Sequence, residues 1–276
     1  MKTVVSIGGS VLVPSVDAER VREYADATER LDADGFTLGT VVGGGPTARE
    51  YITAARDLGA NEIELDQLGI EVTRLNARLL IAALDERAAP TPPEDYETGG
   101  EAIRRGDIPV MGGTVAGQTT DAVSAAFAEY VNADLLVYAT SVPGVYDADP
   151  DDDPTATKYD EITAGDLVSL IADLEMDAGS NAPVDLLAAK IIQRSGIRTV
   201  VLDGSDPERV ERAIRTGEHD GTDVVPAGAE TVQGANNVTY LVHPDDSETT
   251  FREPVKYYAV WGIPAEDNNA TVIRND

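Results

Sequence analysis

The sequence predicts an α/β fold, a mostly parallel sheet with helices packed on both faces. Three observations lead there. Short apolar runs alternate along the chain with stretches of helical period. Glycines gather where a run gives way to the stretch that follows. A length of 276 residues with 42% hydrophobic content is enough to bury a full core without staples. Such alternation lays strands side by side and returns the chain over the sheet through helices.

The elements follow in chain order. Val4-Val5-Ser6-Ile7 is an apolar run that ends at glycines, and after Asp17, a helix cap, Val21, Tyr24, Ala25, Thr28 and Leu31 recur at helical spacing. Residues 37–42 form the next strand, three glycines follow, and a helix runs over 46–58 with Pro46 in its first position. A longer helix without Pro or Gly covers 70–87 and stops at the break Ala89-Pro90-Thr91-Pro92-Pro93. Ile108-Pro109-Val110-Met111 is a strand closed by Gly112-Gly113, 119–131 is helical, and Leu135-Leu136-Val137-Tyr138-Ala139-Thr140 is a continuous buried strand. The acidic stretch 147–153 reads as a solvated loop, helical patterns cover 164–174 and 183–195, and 198–202 is a strand. From about Gly228 the βα rhythm stops and aromatics concentrate (Tyr240, Phe251, Tyr257, Tyr258, Trp261), with 239–242 and 256–260 as possible strands. The reading is therefore a main unit over 1–227 and an appended segment over 228–276.

Composition narrows the function. Fifty acidic against twenty-one basic residues give a net charge of −29, which repels nucleic acid and anionic membranes. The acids are spread along the whole chain and lysine is confined to Lys2, Lys158, Lys190 and Lys256, a pattern that suits a salt-rich cytoplasm. With no cysteine, and His219 and His243 as the only histidines, thiolate and histidine-rich zinc sites are excluded, so a catalytic metal is expected to be hard and oxygen-bound. The chain opens without a secretory h-region and has no apolar run of membrane-spanning length, which places the expected location in the cytoplasm.

Chemistry is expected at the strand ends. Gly8-Gly9-Ser10 stands between strand and helix, where backbone N–H groups can converge on a phosphate oxygen, although an ordinary tight turn has the same pattern. Gly43-Gly44-Gly45-Pro46-Thr47-Ala48-Arg49 repeats the arrangement and adds a guanidinium one turn into the helix. Neither turn has the P-loop ending or the dinucleotide fingerprint. Asp66 reads either as a ligand for ribose hydroxyls or as a helix N-cap. Thr114, Val115, Ala116, Gly117, Gln118, Thr119 and Thr120 form a small, hydroxyl-rich loop able to surround a planar base and its phosphate, and Asp121 follows in the first helical turn. The stretch from Thr140 to Pro150 is a turn that presents Tyr146 and Asp149 at a strand end, suited to an adenine face and ribose, or else a hairpin-like loop with a core Tyr. Lys190, set among apolar residues in a chain that avoids lysine, is either a surface lysine or a cation for a transferring phosphoryl group.

In order and spacing these residues resemble the amino acid kinase superfamily, and within it the uridylate kinases of the archaeal type. The segments that carry the resemblance are Ile7-Gly8-Gly9-Ser10-Val11-Leu12, Val42-Gly43-Gly44-Gly45 with Ala48-Arg49, Asp66, Thr119-Thr120-Asp121 and the stretch 140–150, and it spans residues 1–226. It implies a three-layer αβα sandwich with a largely parallel central sheet, transfer of the γ-phosphoryl of ATP to UMP with Mg²⁺ in pyrimidine nucleotide biosynthesis, and a homohexamer. It also implies that Gly9, Ser10, Gly45, Arg49, Thr140, Tyr146 and Asp149 contact ATP, while Gly44, Asp66 and the loop from Thr114 to Thr120 hold UMP. Lys190 and Asp121 would match the catalytic lysine and organising aspartate of acetylglutamate kinases. The superfamily's first-strand lysine is replaced here by Ser6, so another cation must help. Related alternatives are a kinase for a carboxylate, carbamate or isopentenyl phosphate, or a non-catalytic nucleotide-binding protein on the same fold.

Overall fold

A computed structural model describes residues 1–84, 86–150, 153–174, 184–226, 230–233 and 239–242. Along the chain the elements are β1 (Lys2–Ile7), α1 (Gly9–Leu12), α2 (Ala18–Ala33), β2 (Thr37–Val42), α3 (Gly45–Asp57), α4 (Glu62–Ala83), α5 (Tyr96–Arg105), β3 (Val110–Met111), α6 (Thr120–Tyr130), β4 (Leu135–Thr140), β5 (Glu161–Thr163), α7 (Ala164–Leu174), α8 (Leu186–Ser195), β6 (Arg198–Asp203), α9 (Pro207–Thr216), β7 (Thr222–Val225), β8 (Glu230–Gln233) and β9 (Thr239–Val242). Seven strands form one sheet in the order β3-β2-β1-β4-β6-β7-β5, parallel throughout except at β6–β7.

Period-two alternation divides the core. Val5, Ile7, Leu135, Val137, Ala139, Val200 and Leu202 face the layer of α2, α4 and α9, whereas Val4, Leu136, Tyr138 and Val201 face α6, α7 and α8. Central strands buried on both faces are mostly apolar and admit only small hydroxyl side chains such as Thr3, Ser6, Thr40 and Thr199, which is why they read as apolar runs. The result is the expected αβα sandwich with a largely parallel sheet.

Several boundaries differ. Helix α4 begins at Glu62, not at residue 70, because Asn61 and Glu64 form a reciprocal capping box; Gly69 is carried inside the helix, and the helix ends at Ala83 rather than 87. Helix α5 was not read from the sequence, and it carries Gly99 and Gly100 in its interior. A Cβ on either would come within 2.8 Å of the Phe127 or Tyr130 ring of α6, so the glycines are there for close helix packing. Strand β3 is shorter than the run 108–111 suggested, with Ile108 paired to Ala88 only as an isolated bridge. The helix expected over 183–195 starts at Leu186, capped by Asp185. Strands β5 and β7 and helix α9 were likewise not read from the sequence. In the appended segment, the strand expected over 239–242 is β9, antiparallel to β8. The one expected over 256–260 lies outside the described residues. No described helix is long and apolar enough to cross a membrane.

Candidate functional site

Parallel pairing brings four strand ends into line. Ile7 lies beside Val42 on one side and Ala139 on the other, and Val41 beside Met111, so the chain leaves β3, β2, β1 and β4 along a single edge. The loop after β3, the two glycine turns and the loop after β4 therefore stand in that order.

The glycine turns touch each other. A Cβ on Gly9 would fall 2.1 Å from the Gly45 nitrogen, and one on Gly45, whose φ is +64°, would fall 2.5 Å from the Gly9 carbonyl oxygen. Glycine is therefore demanded first by backbone packed on backbone, and this contact gathers the N–H groups of both turns in one place. Arg49 spans the pair, its Nη2 3.4 Å from Ser10 Oγ, with the rest of the guanidinium exposed.

Helix α4 braces the turn after β2 and the loop after β3. Buried Asn76 donates through Nδ2 to the carbonyls of Gly43 at 2.9 Å and Gly44 at 3.2 Å. Thr73 Oγ1 accepts the Gly113 N–H at 2.7 Å, and Arg74 Nε donates to the Gly113 carbonyl at 3.1 Å. Asp66 stands in the second turn of α4 and is not its cap; its Oδ2 accepts the Gly117 N–H at 2.8 Å, tying the helix to the loop after β3. In that loop Val115, Gly117, Gln118 and Thr119 are exposed, Thr114, Ala116 and Thr120 are partly buried, and Gly117 has a φ of +84°. Tyr96 of α5 meets Gln118 Oε1 at 3.4 Å.

Two carboxylates converge where α6 and α8 begin. Thr119 caps α6 and also donates its hydroxyl to Asp185, the cap of α8. Asp121, one residue into α6, has its pKa pushed up to about 7, first by burial and then by the charge of Asp185. Tyr138 Oη donates to the Asp121 carbonyl at 2.8 Å. Lys190 is exposed on α8, five residues beyond Asp185. Asp185, Thr73 and Asn76 were missed in the sequence; the last two had a signal, as polar residues on the apolar stripe of a helix.

In the loop after β4, Thr140 Oγ1 accepts the Val142 N–H at 3.0 Å and donates to the Val142 carbonyl at 2.8 Å, which turns the chain sharply off β4. Val145 is fully buried and Tyr146 partly so, so the residue anchoring this loop in the core is the valine. Asp149 is partly buried and its carbonyl accepts the Asp153 N–H at 2.8 Å.

Comparison with known proteins gives the family and the fold. Residues 1–203 match the model of the amino acid kinase family. A uridylate kinase of Haloarcula marismortui is 76% identical over 226 residues, covering 82% of this chain and 99% of its own length. One of Halobacterium salinarum is 65% identical over 240 residues, 87% of this chain and 98% of that one. Among solved structures, the uridylate kinase of Archaeoglobus fulgidus has a TM-score of 0.74 at 45% identity, covering 82% of this chain and all of that one.

Proposed function

The chain belongs to the amino acid kinase family, and from that premise we infer that it transfers the γ-phosphoryl group of ATP to UMP. The single observation that carries this reading is the order of the strand ends: an acceptor loop gripped by Asp66, two interlocked glycine turns, then a donor loop. That order seats two nucleotides phosphate to phosphate across the glycines, with Gly44 on the UMP side and Gly9, Ser10 and Gly45 on the ATP side. Thr140, Tyr146 and Asp149 take the adenosine, while Asp66 and the loop from Thr114 to Thr120 take the uridine. A phosphate oxygen of UMP is already ionised, so in-line attack on the γ-phosphorus needs no strong base and no covalent intermediate.

The remaining task is charge. Ser6, where the superfamily has a lysine, is buried in β1 and uncharged. Arg49 supplies positive charge between the turns, and Lys190 on α8 is the second cation. Asp121 and Asp185 offer a pair of hard oxygen ligands, too few for a protein-only metal cage but suited to Mg²⁺ that arrives with the nucleotide, and among the described residues no group of three or more acidic or histidine side chains could hold a metal ion alone. When bound, Mg²⁺ offsets the negative charge of the phosphate oxygens.

We assign the enzyme to the cytoplasm and to a homohexamer, with 228–276 appended to the kinase unit. The outer face of α3 and α4 supports assembly: α3 buries only Ala48, and Tyr51, Leu58, Ile63 and Leu75 are exposed. An isopentenyl phosphate acceptor, for which a histidine in the acceptor site would be expected, is disfavoured: His219 is engaged with Asp223 at 3.2 Å, and His243 lies outside the described residues. The deciding experiment is ADP release with UMP, CMP, acetylglutamate or carbamate as acceptor. Turnover is expected with UMP well above the others; turnover with none of them would leave a nucleotide-binding protein.

A further inference from the structure

The donor loop is a small hairpin. The Tyr159 N–H donates to the Val145 carbonyl at 2.9 Å, the Asp147 N–H donates to the Thr157 carbonyl at 3.1 Å, and Tyr146 faces Lys158 in an isolated antiparallel bridge. Asp147 Oδ1 also accepts the Thr157 N–H at 2.7 Å. This pairing satisfies one side of each arm and leaves the Val145 N–H and the Tyr159 carbonyl pointing into the protein. An unpaired backbone group there would carry its full desolvation cost.

A single hydroxyl meets both. Thr222, the first residue of β7, is wholly buried; its Oγ1 accepts the Val145 N–H at 2.9 Å and donates to the Tyr159 carbonyl at 2.5 Å. The hairpin is drawn close onto it: a Cβ on Gly144 would lie 2.6 Å from Thr222 Oγ1. Neighbouring bonds extend the clamp, with Lys158 Nζ donating to the Asp220 carbonyl and the Asp223 N–H to the Asp160 carbonyl at 2.9 Å. Thr222 in turn is fixed by pairing with Val201 of β6, the strand beside β4, from which the hairpin springs.

We propose that Thr222 is a positioning residue for ATP: its hydroxyl holds both arms of the hairpin and so sets where Tyr146 and Asp149 meet the nucleotide. The proposal rests on the reading that Tyr146 and Asp149 contact ATP. Thr222 touches no substrate and lies 82 residues beyond Thr140, so its influence should be confined to the donor side.

The test is steady-state kinetics on Thr222→Val and Thr222→Ser in the full chain, with Tyr146→Ala and Asp149→Ala as companions. Valine keeps the shape and removes the hydroxyl, so KM for ATP should rise about tenfold, the scale set by stranding buried backbone groups. KM for UMP should stay within about twofold, and Thr222→Ser, which restores the hydroxyl, should recover most of the ATP affinity. Unchanged KM for ATP, or equal loss for both substrates, overturns the proposal, as does failure of serine to rescue. If the two companion variants leave KM for ATP unaltered, the assignment of the donor site itself falls; if they raise it and Thr222→Val does not, only the role of Thr222 falls. Should the valine variant not fold, Thr222→Cys, similar in size with a much weaker donor, is measured for the same split, and the same outcomes decide.

Discussion

A carboxyl forced to share a confined space with another carboxyl resists ionisation, and Asp121 is in that position. Its pKa is raised from an ordinary value of 3.8 to about 7 by burial and by Asp185. Ionised Asp121 is the form that would attract the cation of the nucleotide complex, so kcat/KM should climb through an acid limb near pH 7 in the free enzyme. Asp185→Asn removes the repulsion and should move that limb to lower pH. A limb that does not move would remove Asp185 as the cause. The sign for stability is opposite. Between about pH 4 and about pH 7 the native state holds a proton that the unfolded state has lost, so this group makes the fold less stable as pH rises through that window, and flat above it. Asp121→Asn should flatten that slope in urea midpoints while lowering turnover. At this scale the sequence was informative about residue types and poor about partners. Asp121 was legible as a carboxylate in a first turn, but Asp185 lies 64 residues later and nothing local links the two. Asp66 was legible as a polar residue, a ribose ligand or a helix cap, although its place inside α4 was hidden by Gly69.

Helix α4 shows how one element can hold two loops. Its apolar stripe packs Leu65, Val72, Ala77 and Leu80 inward, and Thr73 and Asn76 interrupt that stripe where the loops after β2 and β3 pass over it. Asn76 serves the turn after β2, proposed to lie between donor and acceptor. Asn76→Leu, which keeps the branched shape in a larger side chain and removes the amide donor, is expected to cost about 1–3 kcal/mol in stability. It should raise KM for both nucleotides, in contrast to the one-sided effect at Thr222, and a one-sided result would show that the turn is not shared. Elements buried on both faces, β1, β2, β4 and β6, were readable because burial excludes charged and large polar side chains from their interior positions and leaves apolar runs broken only by small hydroxyls. Strands β5 and β7 were not. Three or four residues at the far edge of the sheet give too short a pattern, and β7 reverses direction beside β6, which an alternation of strand and helix does not foretell.

At the scale of the molecule, a net charge of −29 on 276 residues sets conditions for everything above. Ion pairs such as Arg198–Asp223 and Arg30–Glu211 engage many of the bases, so most carboxylates must face each other across water. Their repulsion favours the unfolded chain and opposes association of copies, and salt shortens its reach from about 10 Å at 0.1 M to about 3 Å at 1 M. The exposed apolar face of α3 and α4 works in the other direction, and strong salt also favours its burial. Thermal midpoint, activity and mass by light scattering should therefore rise together as KCl is raised from 0.1 to about 2 M, the mass reaching that of a hexamer. Sucrose at concentrations that stabilise by exclusion alone should recover part of the midpoint without the mass, because it leaves the repulsion between copies unscreened. Full activity and hexameric mass in dilute buffer would mean that the carboxylates are already accommodated by the fold. Their excess would then be a matter of solubility and not of stability.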